Sequence, residues 1–293
     1  MDPPVDSRQY ILALELRALD DCPADFAVPP PLAGFEAGLF LPRDDPDWFG
    51  RSAYPPRILL LKDGALHILS HPSVGEPAGQ CVLRRVSAVE SAHMLLKGRL
   101  RFSGPGFDYT VRYNTRGFPA VARFLGRLRQ EVLGSTGAPE APPVDFGGAL
   151  DLKFANALSR ELDAPEAVEV QLFQAPREVR LRSWLLRRRR SMPGDLLALT
   201  SRRLLWITDR DKSSRARYGS IARYAPLDAV EGIAAAAGGG GPAVQVTLNH
   251  GLSWQIPFAG EAAEDCRQPA EEFAAALAAQ KRRHASGRTE LRR

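Results

Sequence analysis

The sequence predicts a β-rich α+β protein of two similar units, each a set of antiparallel strands followed by one amphipathic helix. Three observations carry this reading. Two apolar runs, Arg57-Ile58-Leu59-Leu60-Leu61-Lys62 and Ala65-Leu66-His67-Ile68-Leu69-Ser70, flank Asp63-Gly64, the strongest short-range hairpin signal. Phe107, Tyr109, Val111 and Tyr113 alternate, and then Phe118, Val121, Leu125, Leu128 and Val132 recur at three- and four-residue steps. That change of period marks a strand giving way to a helix stripe. Both patterns return, in the same order, in the second half of the chain.

In chain order, 1–35 reads as an N-terminal extension and 36–134 as the first unit. Its strands are expected near 57–62, 65–70, 81–89, 94–102 and 107–113, and its helix opens at Gly117-Phe118-Pro119 and closes at Gly134. Residues 135–165 read as a linker rich in Pro and Gly, with a short helix carrying Leu150, Phe154, Ala157, Leu158 and Leu162. The second unit spans 166–283. Val168-Glu169-Val170-Gln171-Leu172 and Val179-Arg180-Leu181-Arg182 alternate, and a hairpin is expected around Thr200-Ser201-Arg202-Arg203. Further strands are expected near 218–224, 227–233, 244–248 and 252–258. A closing helix is expected from Glu261 to Arg283, its acids early and its bases late, as the helix dipole favours. Phe273 and Leu277 should face the sheet, and 284–293 is left as a basic tail.

The halves align without a gap where Leu59 to Ser70 lies on Leu197 to Thr208. Val86-Ser87-Ala88-Val89-Glu90 then lies on Leu227-Asp228-Ala229-Val230-Glu231, and Tyr109, Val111 and Tyr113 on Trp254, Ile256 and Phe258. Three matches in one order, each leading to a helix, indicate duplication. Leu196-Leu197-Ala198-Leu199-Thr200-Ser201-Arg202-Arg203-Leu204-Leu205-Trp206, with Tyr224-Ala225-Pro226-Leu227-Asp228-Ala229-Val230-Glu231-Gly232-Ile233, resembles the bacterial pleckstrin-homology-like (PH/GRAM-like) domains. The resemblance covers about 166–283 well and 36–133 weakly, where Lys62-Asp63-Gly64 replaces Thr-x-x-Arg. It implies two PH-like bent antiparallel sheets or partly open barrels, each closed by its helix. Fold alone does not fix function.

Composition narrows the function classes. With 293 residues, 44% hydrophobic and 25% charged, the chain is an ordinary core-forming protein of about two domains. Its three cysteines, Cys22, Cys81 and Cys266, are too few and too far apart for a disulfide scaffold or a metal knuckle. The acidic, Pro-rich start reads as no secretory signal, and 233–248 is too short to span a bilayer, so a cytoplasmic location is expected. No Gly-x-Ser-x-Gly, His-Glu-x-x-His or Walker-type pattern occurs. His67 and His71 would lie about 13 Å apart on a strand, so a metal site with Cys81 and His93 is not expected. The expectation is a non-enzymatic module without a cofactor.

One region stands out by charge. From Arg177 to Arg223 there are fourteen Lys or Arg against four acids, a local surplus of ten, whereas the whole chain carries +5. Arg187, Arg188, Arg189 and Arg190 sit beside Met192-Pro193-Gly194 and read as a loop projecting on one rim, with Arg202 or Arg203 expected nearby. Guanidinium groups grip carboxylate or phosphate bidentately. Only five of the 39 bases are Lys, so Arg usage is general, and a solvated loop or a docking face for an acidic protein is the first reading. The alternative is peripheral binding to anionic phospholipid, each basic residue adding about 1 kcal/mol near the leaflet. The resemblance to PH-like domains adds to this alternative, because in eukaryotic PH domains the loop between the first two strands is the basic phosphoinositide-binding loop. Nucleic acid is disfavoured, because aromatics do not alternate with the bases.

Overall fold

A computed structural model describes residues 12–43, 54–71, 79–94, 97–133, 150–163, 166–181, 188–209, 219–238, 241–258 and 263–290. The chain divides into two compact units, Met1–Val86 with Ser91–Thr136, and Ser87–Glu90 with Gly137–Arg293. All described strand pairings are antiparallel, and the sheets are not closed into barrels.

In the first unit, β1 (Leu14–Leu16), β2 (Ala37–Leu41), β3 (Arg57–Lys62), β4 (Ala65–Ser70) and β5 (Gly79–Val82) pair in sequence order. Asp63 and Gly64 take φ of 50° and 68°, both positive, as the two-residue turn between β3 and β4 requires. The strand expected over 81–89 is interrupted: Leu83–Arg85 forms a 3-10 turn, and β6 (Ala88–Met94) starts beyond it. Then β7 (Lys97–Gly104) and β8 (Phe107–Asn114) follow, and α1 (Phe118–Leu133) ends the unit. Val121, Leu125 and Leu128 of α1 are buried as expected. Phe118 is half-buried and lies edge-on to His93, 4.3 Å between centroids.

Residues 12–35, within the stretch read as an extension, pack on the first sheet. Leu16, Phe26, Leu32 and Phe35 are buried against Phe40, Ile58, Leu60 and Leu69, so this segment covers one face of the first sheet. As a result Ile58, Leu59, Leu60 and Leu61 are all buried, on both faces of β3. A strand buried on both sides reads as a continuous apolar run rather than an alternation.

The second unit repeats this plan. α2 (Leu152–Glu161) precedes β9 (Val168–Gln174), β10 (Arg177–Leu181), β11 (Arg188–Met192), β12 (Asp195–Thr200), β13 (Arg203–Thr208) and β14 (Ser220–Pro226). Strands β14, β13, β12 and β9 pair in that order, while β15 (Val230–Gly238), β16 (Gly241–Leu248) and β17 (Ser253–Pro257) form a meander. A 3-10 turn at Leu227–Ala229 stands between β14 and β15, where Leu83–Arg85 stands in the first unit. α3 (Arg267–Glu290) packs Ala270, Phe273 and Leu277 into the core with Leu197, Leu199, Val246 and Ile256.

Two boundaries shift. The closing helix begins six residues later than expected and carries on past Arg283, so 284–290 belongs to it rather than to a tail. Glu264 and Asp265 lie in a 3-10 turn ahead of it. The short helix is also more than a linker element. Phe154, Ala157 and Leu158 of α2 are buried, and the Phe154 and Phe173 rings lie 5.1 Å apart. All six residues of β12 are buried in consequence. Because α2 covers this sheet, Leu158→Ala should cost about 2–5 kcal/mol in the denaturant transition of the second unit. Leu152→Ala, on the same helix but 74% exposed, should change it by no more than about 0.5 kcal/mol.

Candidate functional site

The basic cluster does not form one rim. β9 pairs with β12 up to Gln174 opposite Asp195, and β10 pairs with β11 from Arg177 opposite Met192. Two residues intervene on each side, Ala175-Pro176 and Pro193-Gly194, so both ladders share one register. Together they make a single long hairpin whose distal arm is β10–β11. Within the arm Arg180 stands opposite Arg189, Arg190 opposite Val179 and Arg188 opposite Leu181. The expectation of a loop over 187–190 is therefore corrected for Arg188, Arg189 and Arg190, which lie on a strand; Arg187 lies outside the described residues. Proline has no N–H, so Pro176 facing Pro193 removes two ladder donors where the arm joins the sheet.

The root of the arm is fixed by side chains. The Gly194 N–H donates to Asp209 Oδ1 at 2.9 Å, and the Asp209 N–H donates back to the Gly194 carbonyl at 3.1 Å. Lys153 Nζ of α2 lies 3.7 Å from Asp209 Oδ2. A Cβ on Gly194 would come within 2.8 Å of the Phe154 ring and 3.0 Å of Pro176, so this close approach requires glycine. Beside it Asp195 is buried and accepts a 2.8 Å hydrogen bond from Trp206 Nε1. Burial pushes the Asp195 carboxyl up to about 6. The Asp209 charge adds to this, while hydrogen bonds from Trp206 and Thr208 and the Arg223 charge oppose it. Arg223 lies over the Trp206 ring at 4.3 Å and donates to Glu90 at 2.6 Å.

Arg202 and Arg203 stand at the opposite end of β12, five residues and about 17 Å from the root of the arm. Arg202 is half-buried in the β12–β13 turn. Arg203 is corrected outright as a surface anion-binding residue: it is 0% exposed and already occupied. Its Nε and Nη2 donate to the Glu166 carboxylate at 2.9 and 2.6 Å, and Nη2 also donates to the Glu161 carbonyl at the end of α2. Asp163 lies 3.6 Å away, and the Tyr224 ring centre 5.0 Å from the guanidinium carbon. The Thr200 hydroxyl donates to Glu166 at 2.5 Å and accepts from the Arg203 N–H at 3.0 Å, closing the turn. This cluster holds α2 over the sheet.

The histidines weighed for a metal site are engaged elsewhere. His71 Nε2 bonds Asp25 at 3.0 Å, and His93 lies between Ser91 and Tyr113, 2.9 Å from each hydroxyl. Among the described residues no group of three or more His, Cys, Asp or Glu could hold a metal ion, and no helix is long and apolar enough to cross a membrane. Compared with family models, curated proteins and solved structures, the chain matches none of them.

Residue-level reading counted Asp195 and Asp209 only as charges; Asp195 is buried against Trp206, and Asp209 is half-buried and bonded to Gly194. It also missed that Arg177 and Arg180 share the arm with Arg188, Arg189 and Arg190. The pairing partner of a hairpin strand is set by register, and the sequence over 182–187 carries no Asn-Gly or Asp-Gly to announce it.

Two outcomes are expected. Arg203→Met leaves a buried carboxylate uncompensated and should cost about 3–5 kcal/mol, whereas Arg203→Met with Glu166→Leu should recover most of that loss in urea unfolding. For Asp195 the folded pKa lies above the ordinary carboxylate value, so the unfolded chain releases its proton first. The stability this group contributes is present below pH 4 and lost as pH rises through about 6. Asp195→Asn should remove that loss, gaining about 3 kcal/mol on wild type between pH 4 and pH 7.5 in paired urea titrations.

Proposed function

We propose that the chain is a non-enzymatic binding or scaffold module of two PH-like units that docks a protein partner through the β10–β11 arm. The order of elements supports the PH-like reading in both halves: β2 to β5 in the first, and β9 with β12 to β14 in the second, precede a 3-10 turn, three strands and a closing helix. It is carried most by the arm itself. The arm lies between the first and second strands of the second four-stranded set, the position of the ligand loop in eukaryotic PH domains. It brings Arg177, Arg180, Arg188, Arg189 and Arg190 onto one two-stranded ribbon. Carboxylates of an acidic protein surface suit planar guanidinium groups, which bind them bidentately.

A second reading, peripheral binding to anionic phospholipid at the inner membrane surface, draws on Arg180 and Arg189 at directly opposed positions. Like charges facing across a ladder are unfavourable until an anion neutralises them. Either way the protein works in the cytoplasm, without a cofactor.

Changing Arg187, Arg188, Arg189 and Arg190 together to Ser tests both readings. Stability should move by no more than about 0.5 kcal/mol. Under the docking reading, a partner captured by wild type from its own host is lost with the four-Ser protein, and vesicles of anionic lipid sediment neither protein. Sedimentation of wild type alone, weakening between 0.05 and 0.5 M salt, would put the lipid reading ahead. Capture that is equal for both proteins would overturn the role of the arm.

A further inference from the structure

The two units differ at one edge. In the first, β1 pairs along β2, with Leu14 opposite Phe40, Glu15 opposite Leu39 and Leu16 opposite Gly38. In the second, β9 takes the place of β2: Leu39 stands opposite Leu59 and Leu172 opposite Leu197, equivalent positions of the two hairpins. Among the described residues no strand pairs with the outer edge of β9. The burial follows suit. Leu39 and Phe40 are fully buried, whereas Leu172 and Phe173 are half-buried and Gln171 is exposed. An open edge presents a row of unpaired N–H and C=O groups, a template for another strand.

We infer that the outer edge of β9 is a docking site for an extended segment of a partner protein, alternating apolar and acidic residues, which adds to β9 as β1 adds to β2. The first unit supplies the pattern of the occupant, Leu14-Glu15-Leu16. There the helix does not obstruct the added strand; Arg123 of α1 donates to Glu15 Oε2 at 2.8 Å and holds it. The arm beyond β9 favours the same chemistry, while the acid on β9 itself, Glu169, is balanced by Arg283. Arg283 of α3 reaches β9 at Glu169, 3.5 Å away, and β9 leads in register into Arg177 and Arg180 of the arm. Strand addition draws affinity from main-chain hydrogen bonds and specificity from alternate side chains, so an extended acidic segment fits both the edge and its surroundings. This inference rests on reading the chain as a protein-docking module and names the partner's form.

The test uses the full-length protein and a capped seven-residue peptide alternating Leu with Glu. Its backbone amide resonances are followed by NMR, with hydrogen exchange alongside. Saturable shifts and slowed exchange should centre on Val168–Gln174. The same peptide with Lys for Glu should bind at least tenfold more weakly, and Gln171→Glu, at an exposed position, should weaken the acidic peptide several-fold. The four-Ser protein should still bind it at β9. That result supports the inference even where the arm captures no partner, so the two readings fail separately. Three outcomes overturn it: shifts that leave β9 untouched, equal binding of the Lys peptide, or protection of β9 that rises with protein concentration alone. The last would make a second copy the occupant.

Discussion

The structure depends on covering both faces of the first sheet in each unit. β3 and β12 are buried on both sides, and such strands keep their place only where something lies over each face. One face is served by the closing helix and the second set of strands, through contacts such as Leu197 and Leu199 with Phe273 and Leu277. The other is served by chain that comes before the first strand: residues 12–35 in one unit and α2 in the other. Two unrelated stretches of sequence thus do the same physical work. Where the cover is apolar, as with Phe26, Leu32 and Phe35, it needs only packing. Where it is helical, its C-terminal carbonyl must find a donor, and the buried Arg203 supplies one while Glu166 balances its charge.

This cover explains what the sequence could and could not reveal. The hairpins around Asp63-Gly64 and Thr200 to Arg203 were legible because turn chemistry and flanking apolar runs are local. The stripe of α1 and the residues Phe273 and Leu277 were legible because a helix with one buried face keeps a 3.6-residue period. The boundary of α3 was not, because Glu264 and Asp265 look like a helix start and instead make a 3-10 turn ahead of it. The role of residues 12–35 was hidden as well, since Phe26, Leu32 and Phe35 have no common period and acquire meaning only against β2, β3 and β4.

The basic region shows the same division more sharply. Charge counted along the chain grouped Arg203 with Arg187, Arg188, Arg189 and Arg190, yet in space Arg203 is an interior group at the other end of β12. The missing information was long-range: Glu166, which takes its charge, is 37 residues away. Conversely, Arg180 gained significance from its cross-strand position opposite Arg189, which sequence distance concealed. Arginine number is a property of composition, but arginine role is set by which carboxylate or which strand lies across from it.

The paired prolines at the base of the arm have a mechanical consequence. A hydrogen-bonded ladder transmits distortion from one residue pair to the next, and Pro176 facing Pro193 withholds two of its links. Disturbance in the arm therefore ends at Gly194, which Asp209 and Lys153 pin to the core. The arm can fray, stiffen or change its side chains while the sheet behind it keeps its own cooperativity. Its surface chemistry is thereby kept apart from the interior that carries it.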